Sequence, residues 1–350
     1  MKNWSQRTLF IIGSILLSLC VIFSGCSSGN ETTTEPTTRI VMDKEGNPIT
    51  IPFKVDRVAP QIGAMAHMTA LLGCADKLVA TAFGGTNAYF NKIFPEYLTA
   101  NPKGLSTSNV EEVIASGAQV LYGPITDNAT IEKYKTAGIA VVPLTTFSTV
   151  EQMKDNIRKI AEILGGDAPK RAEDFCKYYD EQMAYVSDKT ANASDVRVMS
   201  LNYNANAWGT INAKDICSVY ITAAGGINVA ADLVIASGVS GGISTEDVIK
   251  WNPELIITNN QAGKDAILAE PTFKTVQAVK DGKVYVVPTG TYLWSVRSAE
   301  GAMMPLWLAK TTHPEIFTDL DMNKVVKDYY KKFYDYEIPD DEITVILAGK

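Results

Sequence analysis

Two stretches of this chain repeat one another closely enough to dictate its architecture. The first reads Asn109-Val110-Glu111-Glu112-Val113-Ile114 and leads into Gly117-Ala118-Gln119-Val120-Leu121. The second reads Ser244-Thr245-Glu246-Asp247-Val248-Ile249 and leads into Asn252-Pro253-Glu254-Leu255-Ile256. In each, a natural N-cap (Asn109 or Ser108, and Ser244) opens a short helix, and an apolar run suited to a strand follows. The pattern predicts one plan built twice. Acidic residues in a first helical turn are favoured by the helix dipole, which accounts for a carboxylate at each position. The dipole does not account for an adjacent acidic pair at the corresponding place in both halves. A second reading is that Glu111 and Glu246 are exposed carboxylates offered to a two-fold partner carrying basic pockets. The residues alone leave both readings open.

The remaining pattern agrees with a two-lobed α/β fold, each lobe a mostly parallel sheet flanked by helices. Candidate strands are residues 78–83, 119–122, 140–144, 196–203, 255–258 and 284–287, and candidate helices include 65–72, 110–116 and an amphipathic 321–334. Between the lobes, residues 150–189 carry apolar positions at helical spacing, with a Gly165-Gly166-Asp167-Ala168-Pro169 cluster that should break or kink the helix. The expected organisation is a first lobe over 39–149, a bridging helical segment over 150–190 and a second lobe over 191–350. A helix cannot bend freely, so the pair should form a stiff clamp with its site where strand C-terminal ends face each other.

The N-terminus points to export. Lys2 and Arg7 precede an apolar stretch over 9–23, followed by Ser24-Gly25-Cys26. That length and ending read as a signal peptide over 1–25 rather than a spanning helix. The small-small-Cys ending resembles a bacterial lipobox, making Cys26 the lipidated N-terminus; an uncleaved signal anchor is the alternative. Residues 26–38 are small and polar, a flexible tether between lipid and domain. The chain has 39 acidic against 32 basic residues and no basic stretch, which argues against nucleic acid as a partner. Cys74, Cys176 and Cys217 show no metal-site spacing; one disulfide or buried free thiols are both compatible with an exported chain.

At this level the chain resembles the binding-protein family of ABC importers for iron siderophores, haem and cobalamin, over residues 39–313. The resemblance is carried by the opening RIVMDKEGNPITIPFKVDRVAP, by NVEEVIASGAQVLY, by the central helical segment, by AAGGINVA at 223–230 and by STEDVIKWNPELII. Val55 and Asp56 stand where the family commonly has a proline. The resemblance implies two α/β lobes bridged by a long helix, with limited hinge motion and no catalytic activity. It further implies a monomer that delivers a small-molecule ligand to a permease dimer with its ATPase. Glu111 and Glu246 then become the permease-docking carboxylates. The implied cargo is a metal complex, a ferric siderophore by family frequency, with haem, cobalamin, a nickel chelate or an oxyanion such as molybdate as alternatives. The implied location is the outer face of the cytoplasmic membrane or the periplasmic side of an envelope membrane.

Loops after strands should supply ligand contacts, and these concentrate Tyr89, Trp208, Tyr292 and Trp294, whose faces suit a chelate or macrocycle. Arg297 completes a W-x-x-R pattern that resembles the cleft-lining segment of family members; a guanidinium there suits carboxylate, catecholate or phosphate groups. His67, beside Met65 and Met68, is a candidate axial ligand to a bound metal, or else a hydrogen-bonded structural residue. Two other functions compete. Gly238-Val239-Ser240-Gly241-Gly242 formally matches a nucleophile elbow, with His313 as base, but the helix expected to start at the serine starts only after Ser244. A binding module that senses its ligand without transporting it has the same sequence features as a transporter component.

Overall fold

The computed structural model describes residues 36–235 and 239–350. The expected signal peptide, Cys26 and most of the tether lie outside the described residues. β1 (Thr38–Met42) and β2 (Pro48–Pro52) form an antiparallel hairpin whose turn is held by Asp43, its Oδ1 accepting from the N–H groups of Glu45 and Asn47. The first-lobe sheet is parallel, in the order β3 (Val58–Pro60), β4 (Val120–Gly123), β5 (Ala140–Pro143). Around it lie α1 (Gly63–Leu71), α2 (Ala88–Ile93), α3 (Glu96–Ala100), α4 (Val110–Ser116) and α5 (Asn128–Thr136). Strand side chains alternate between faces, so a strand covered on both sides needs an apolar residue at every position. β4 shows this: Val120 and Tyr122 enter the central core, whereas Leu121 enters an outer core with Val113, Tyr134 and Val141.

Residues 150–190 resolve into two helices, and only the second is the bridge. α6 (Val150–Leu164) stops at Gly165 and Gly166, both at positive φ, and α7 (Ala168–Thr190) restarts with Pro169 in its first turn, where a missing N–H is tolerated. α6 stays with the first lobe, since Asn156 Nδ2 donates to the Thr145 carbonyl and Lys159 Nζ to the Asp43 carbonyl. α7 runs on. Arg171 Nε donates to the Leu71 carbonyl near one end, and Thr190 Oγ1 to the Ala223 carbonyl at the other. Its 23 residues make a strut of roughly 35 Å.

The second lobe holds β6 (Val196–Ser200), β7 (Asn202–Asn204), β8 (Ala207–Ile211), β9 (Gly226–Asn228), β10 (Ser240–Ile243), β11 (Leu255–Thr258) and β12 (Val284–Val286). A parallel sheet runs β12-β11-β6-β9, and a smaller antiparallel one runs β10-β8-β7. The helices are α8 (Ile216–Ala223), α9 (Thr245–Trp251), α10 (Gln261–Ala269), α11 (Gln277–Lys280), α12 (Met304–Thr312), α13 (Met322–Tyr334) and α14 (Asp340–Leu347). On β11, Leu255 and Ile257 face the central core and Ile256 faces an outer core with Met199, Val248 and Phe273. The central core is continuous through both lobes, closed at their junction by aromatic contacts such as Phe94 on Tyr334 (5.0 Å between centroids) and Phe175 on Phe333 (5.5 Å).

Two expected strands differ from the structure. Residues 78–83 make only isolated bridges, because Val79 N–H bonds to β3 while Thr81 turns away to residues 105–107; no ladder can grow across that change of partner. Residues 196–203 split at Leu201, where the chain leaves the parallel sheet for the β7–β8 hairpin. β3 was not among the expected strands. Cys74, Cys176 and Cys217 are free and buried. Among the described residues no helix is long and apolar enough to cross a membrane.

Candidate functional site

A cavity of about 350 Å³ lies at the C-terminal end of the second-lobe sheet. Its polar wall comes from Ser200 at the end of β6, Asn202 on β7, Thr210 on β8, Asn259 after β11, and Ser295 and Arg297 beyond β12. Strand ends are where backbone pairing stops and side chains become free to meet a ligand, which is why these positions converge. The wall is braced by its own hydrogen bonds. Thr210 Oγ1 donates to the Ser200 carbonyl (2.7 Å), Asn259 N–H to Asn202 Oδ1 (2.9 Å), and Ser295 Oγ to Asn259 Oδ1 (3.1 Å). The backbone donor fixes which side of the Asn202 amide is oxygen. With both amide oxygens occupied, Asn202 and Asn259 present their Nδ2 donors without protein acceptors among the described residues.

Charge in the cavity is nearly balanced. Asp215 caps α8, its Oδ1 accepting from Cys217 N–H (2.9 Å), and its Oδ2 stands 3.9 Å from Arg297 Nη2. Burial raises the Asp215 pKa above the usual carboxylate range, opposed by the Cys217 N–H and by the guanidinium. Arg297 Nε donates to the Phe147 carbonyl, so this side chain touches the first lobe as well. On that lobe, Gln61 follows β3, and its buried Oε1 has no partner.

Of six candidate ligand contacts, only Arg297 lines this cavity. Trp294 is wholly buried beneath the segment, its Nε1 donating to Glu300 Oε2 at 3.0 Å; a buried indole needs such a partner, and this one leaves no face for a ligand. His67 is also buried, ringed by Phe83, Phe90 and Tyr292, with Nδ1 3.2 Å from Thr291 Oγ1. Burial lowers its pKa to about 3, so it is neutral, and it cannot reach a metal in the cavity. Tyr292 lies at the lobe junction against His67 and over Gly63. Tyr89 turns to α14, donating to Glu342 Oε2 at 3.0 Å. Trp208 packs on Tyr203 and Phe273 toward the outer core. Large rings are worth most in or against a core: Trp294 and His67 are buried, and Tyr89, Trp208 and Tyr292 are half-buried. The cavity residues that sequence reasoning missed are polar and carry a faint signal: Asn202 and Asn259 come within two residues of the ends of buried strands.

The second acid of each pair bonds to backbone near its helix start, though not in the same way. Asp247 Oδ2 accepts from the N–H of the N-cap Ser244 (2.9 Å) and closes a capping box, whereas Glu112 Oε2 accepts from Ser106 N–H (2.6 Å), three residues ahead of the N-cap Asn109. The first acid of each pair, Glu111 and Glu246, is exposed and makes no ion pair among the described residues. Hydrogen bonds from its own N–H and from the hydroxyls of Ser244 and Thr245 keep the Glu246 pKa low.

The elbow reading fails on geometry. Ser240 lies within β10, paired with Ile211, and no helix begins at it. His313 is buried elsewhere, its Nε2 3.2 Å from the Gly225 carbonyl. Gly238 lies outside the described residues.

Comparison with known proteins agrees with the geometry. The molybdate-binding protein MolA of Haemophilus influenzae is 26% identical over 333 residues, covering 85% of this chain and 91% of the relative. A periplasmic solute binding protein from Veillonella parvula superposes with a TM-score of 0.75 at 25% identity, over 89% of this chain and 97% of that one. Helicobacter pylori CeuE with Ni(II) bound gives 0.71 at 23% identity, over 88% and 99%. The sequence model of the periplasmic binding protein family matches residues 108–290, more than half of the chain, and the protein belongs to that family of non-enzymatic solute-binding proteins of ABC transporters.

Proposed function

We propose that this protein is a lipid-anchored, monomeric carrier of a compact, anionic, oxygen-rich metal species, of the molybdate class, which it hands to an ABC permease dimer. One observation carries the ligand class: the cavity offers donors, namely the Arg297 guanidinium and the Nδ2 groups of Asn202 and Asn259, whose oxygens are already occupied. Donors held in place in a partly desolvated site stabilise an anion without rearranging. Among the described residues no aromatic side chain lines the cavity, which argues against haem or cobalamin and for a small hydrophilic cargo. Among the described residues no cluster of His, Cys, Asp and Glu could hold a bare metal ion, so the metal would arrive with its own oxygen ligands, as oxyanion or ferric chelate. The 26%-identical relative named for molybdate points the same way.

Calorimetric titration with molybdate, sulfate and ferric citrate tests this. Asn202→Asp keeps the shape but replaces a donor by a negative acceptor, and should weaken molybdate binding about 100-fold. Unchanged or tighter binding would reject the anion. Membrane attachment through the lipid rests on Cys26: Cys26→Ser should release the protein from the membrane fraction. Glu111 and Glu246 are proposed as the two docking carboxylates. Glu111→Ala and Glu246→Ala should each leave molybdate affinity intact and abolish uptake in cells; loss of ligand binding in either would end the docking assignment. Intact uptake in either variant would equally end the docking assignment, and uptake that continues in cells lacking this protein would favour a sensing role.

A further inference from the structure

Thr291 lies at the base of the segment that brings Ser295 and Arg297 into the cavity, and each of its polar atoms is engaged, the hydroxyl and the carbonyl across the lobe junction. Its N–H donates to Glu300 Oε1 (3.0 Å) and its Oγ1 donates to the same oxygen (2.7 Å). Its carbonyl accepts from Asn87 Nδ2 at the start of α2, in the first lobe (3.2 Å). His67, on α1 of the first lobe, stands 3.2 Å away on the hydroxyl. The one proton of that hydroxyl goes to the carboxylate, so His67 must donate from Nδ1 and Thr291 Oγ1 must accept. This assigns the tautomer: the buried His67 Nε2, an acceptor without a partner among the described residues, is the unprotonated nitrogen.

Beneath this, Glu300 is fully buried and gathers donors on both oxygens, from Thr291, Tyr330 (2.9 Å) and Tyr334 (3.3 Å) on Oε1 and from Trp294 Nε1 on Oε2. The chain His67–Thr291–Glu300 therefore ties the first lobe to the anchor of the cavity segment. None of these groups is needed for the cavity's own contacts, and α7 and the central core already join the lobes.

We propose that Thr291 is a positioning residue for the cleft: it fastens the segment carrying Ser295 and Arg297 to the first lobe and so sets where the guanidinium stands against the polar wall. This rests on the cleft being the ligand site. The test uses Thr291→Val, which keeps the shape and removes the hydroxyl, Thr291→Ser, which restores it, and His67→Phe, which keeps a ring among rings and removes only the Nδ1 donor. Two readouts are needed: the rate of molybdate release by rapid filtration of radiolabelled ligand, and the lobe-to-lobe distance distribution by double electron–electron resonance. For the latter, labels go on Lys103→Cys and Lys280→Cys, both exposed, in a Cys20→Ser, Cys26→Ser background in which Cys74, Cys176 and Cys217 are buried. Thr291→Val and His67→Phe should each broaden the ligand-free distribution and speed release about 10-fold, and Thr291→Ser should restore both. A wild-type distribution and release rate in the two variants would overturn the proposal, even if thermal stability fell. If the wild-type protein retains no molybdate, the ligand reading falls, and the distance distribution alone decides on Thr291.

Discussion

Residues 57–143 and 197–286 are the same construction made twice, and the likeness reaches individual side chains. Arg57 donates to the carbonyls of Ser116 and Gly117 at the end of α4; Arg197 donates to the carbonyl of Trp251 at the end of α9. Gln119 Oε1 accepts from the N–H of Arg57, and Glu254 Oε2 from the N–H of Arg197 (2.9 Å). Both helices close on a left-handed residue, Gly117 (φ +67°) and Asn252 (φ +39°). Past the first strand of each sheet, Gln61 N–H donates to the Tyr122 carbonyl and Leu201 N–H to that of Ile257, both at 2.9 Å. The halves part company at the next step. From β3 the first lobe passes directly into α1, whereas from β6 the second makes the β7–β8 hairpin that furnishes much of the cavity wall. The scaffold is shared and carries Glu111 and Glu246, the acids proposed to dock; the polar wall is an addition to one lobe. The hairpin can therefore change without disturbing the helix start that carries either acid.

The sharpest way to break this comparison is to exchange its divergent strand ends. β4 ends in Gly123 and β11 in Thr258. Gly123 has φ +149°, and a Cβ there would lie 2.5 Å from Gln61 Cβ. Gly123→Thr adds a β-branched side chain to a backbone region that only glycine occupies readily, with no space for it. It should cost roughly 3 kcal/mol or more, read by urea denaturation. Wild-type stability would mean that the two strand ends are interchangeable and that the divergence of the lobes starts later in the chain.

The repeated helix and strand were legible because caps, acidic first turns and apolar periodicity act within a few residues. The bonds from Arg57 and Arg197 were not, since each joins groups more than fifty residues apart, and only the assembled sheet brings them together. The break at Gly165 and Gly166 was also local, and it stands where expected. At the site, legibility ran the other way. Trp294 and His67 looked like ligand contacts because aromatic and imidazole side chains are chemically conspicuous, yet burial and the Glu300 anchor claimed them. Asn202 looks like one more strand residue, and Asn259 and Ser295 like ordinary loop residues, until the strand ends near them are set side by side. Arg297 was found through the W-x-x-R pattern it completes, which resembles the cleft-lining segment of family members, and it does line the cavity.

The mildest test concerns the left-handed helix ends, where the two lobes solve one problem with different residues. Asn252 accepts from Gln277 N–H through Oδ1 (2.8 Å), a bond Gly117 has no side chain to make. Asn252→Ala should lose that bond and keep an unfavourable conformation, costing about 1–2 kcal/mol. Asn252→Gly loses the same bond but relieves the conformation by about 0.5–1 kcal/mol, so its net effect should fall within about 0.5 kcal/mol of zero. The two variants differ only in the backbone contribution, and urea midpoints separate them. Equal losses in both would mean that the left-handed conformation carries no cost here. Gly117 in the first lobe would then be explained instead by the approach of Arg57, whose Nη2 lies 3.2 Å from where a Cβ would stand.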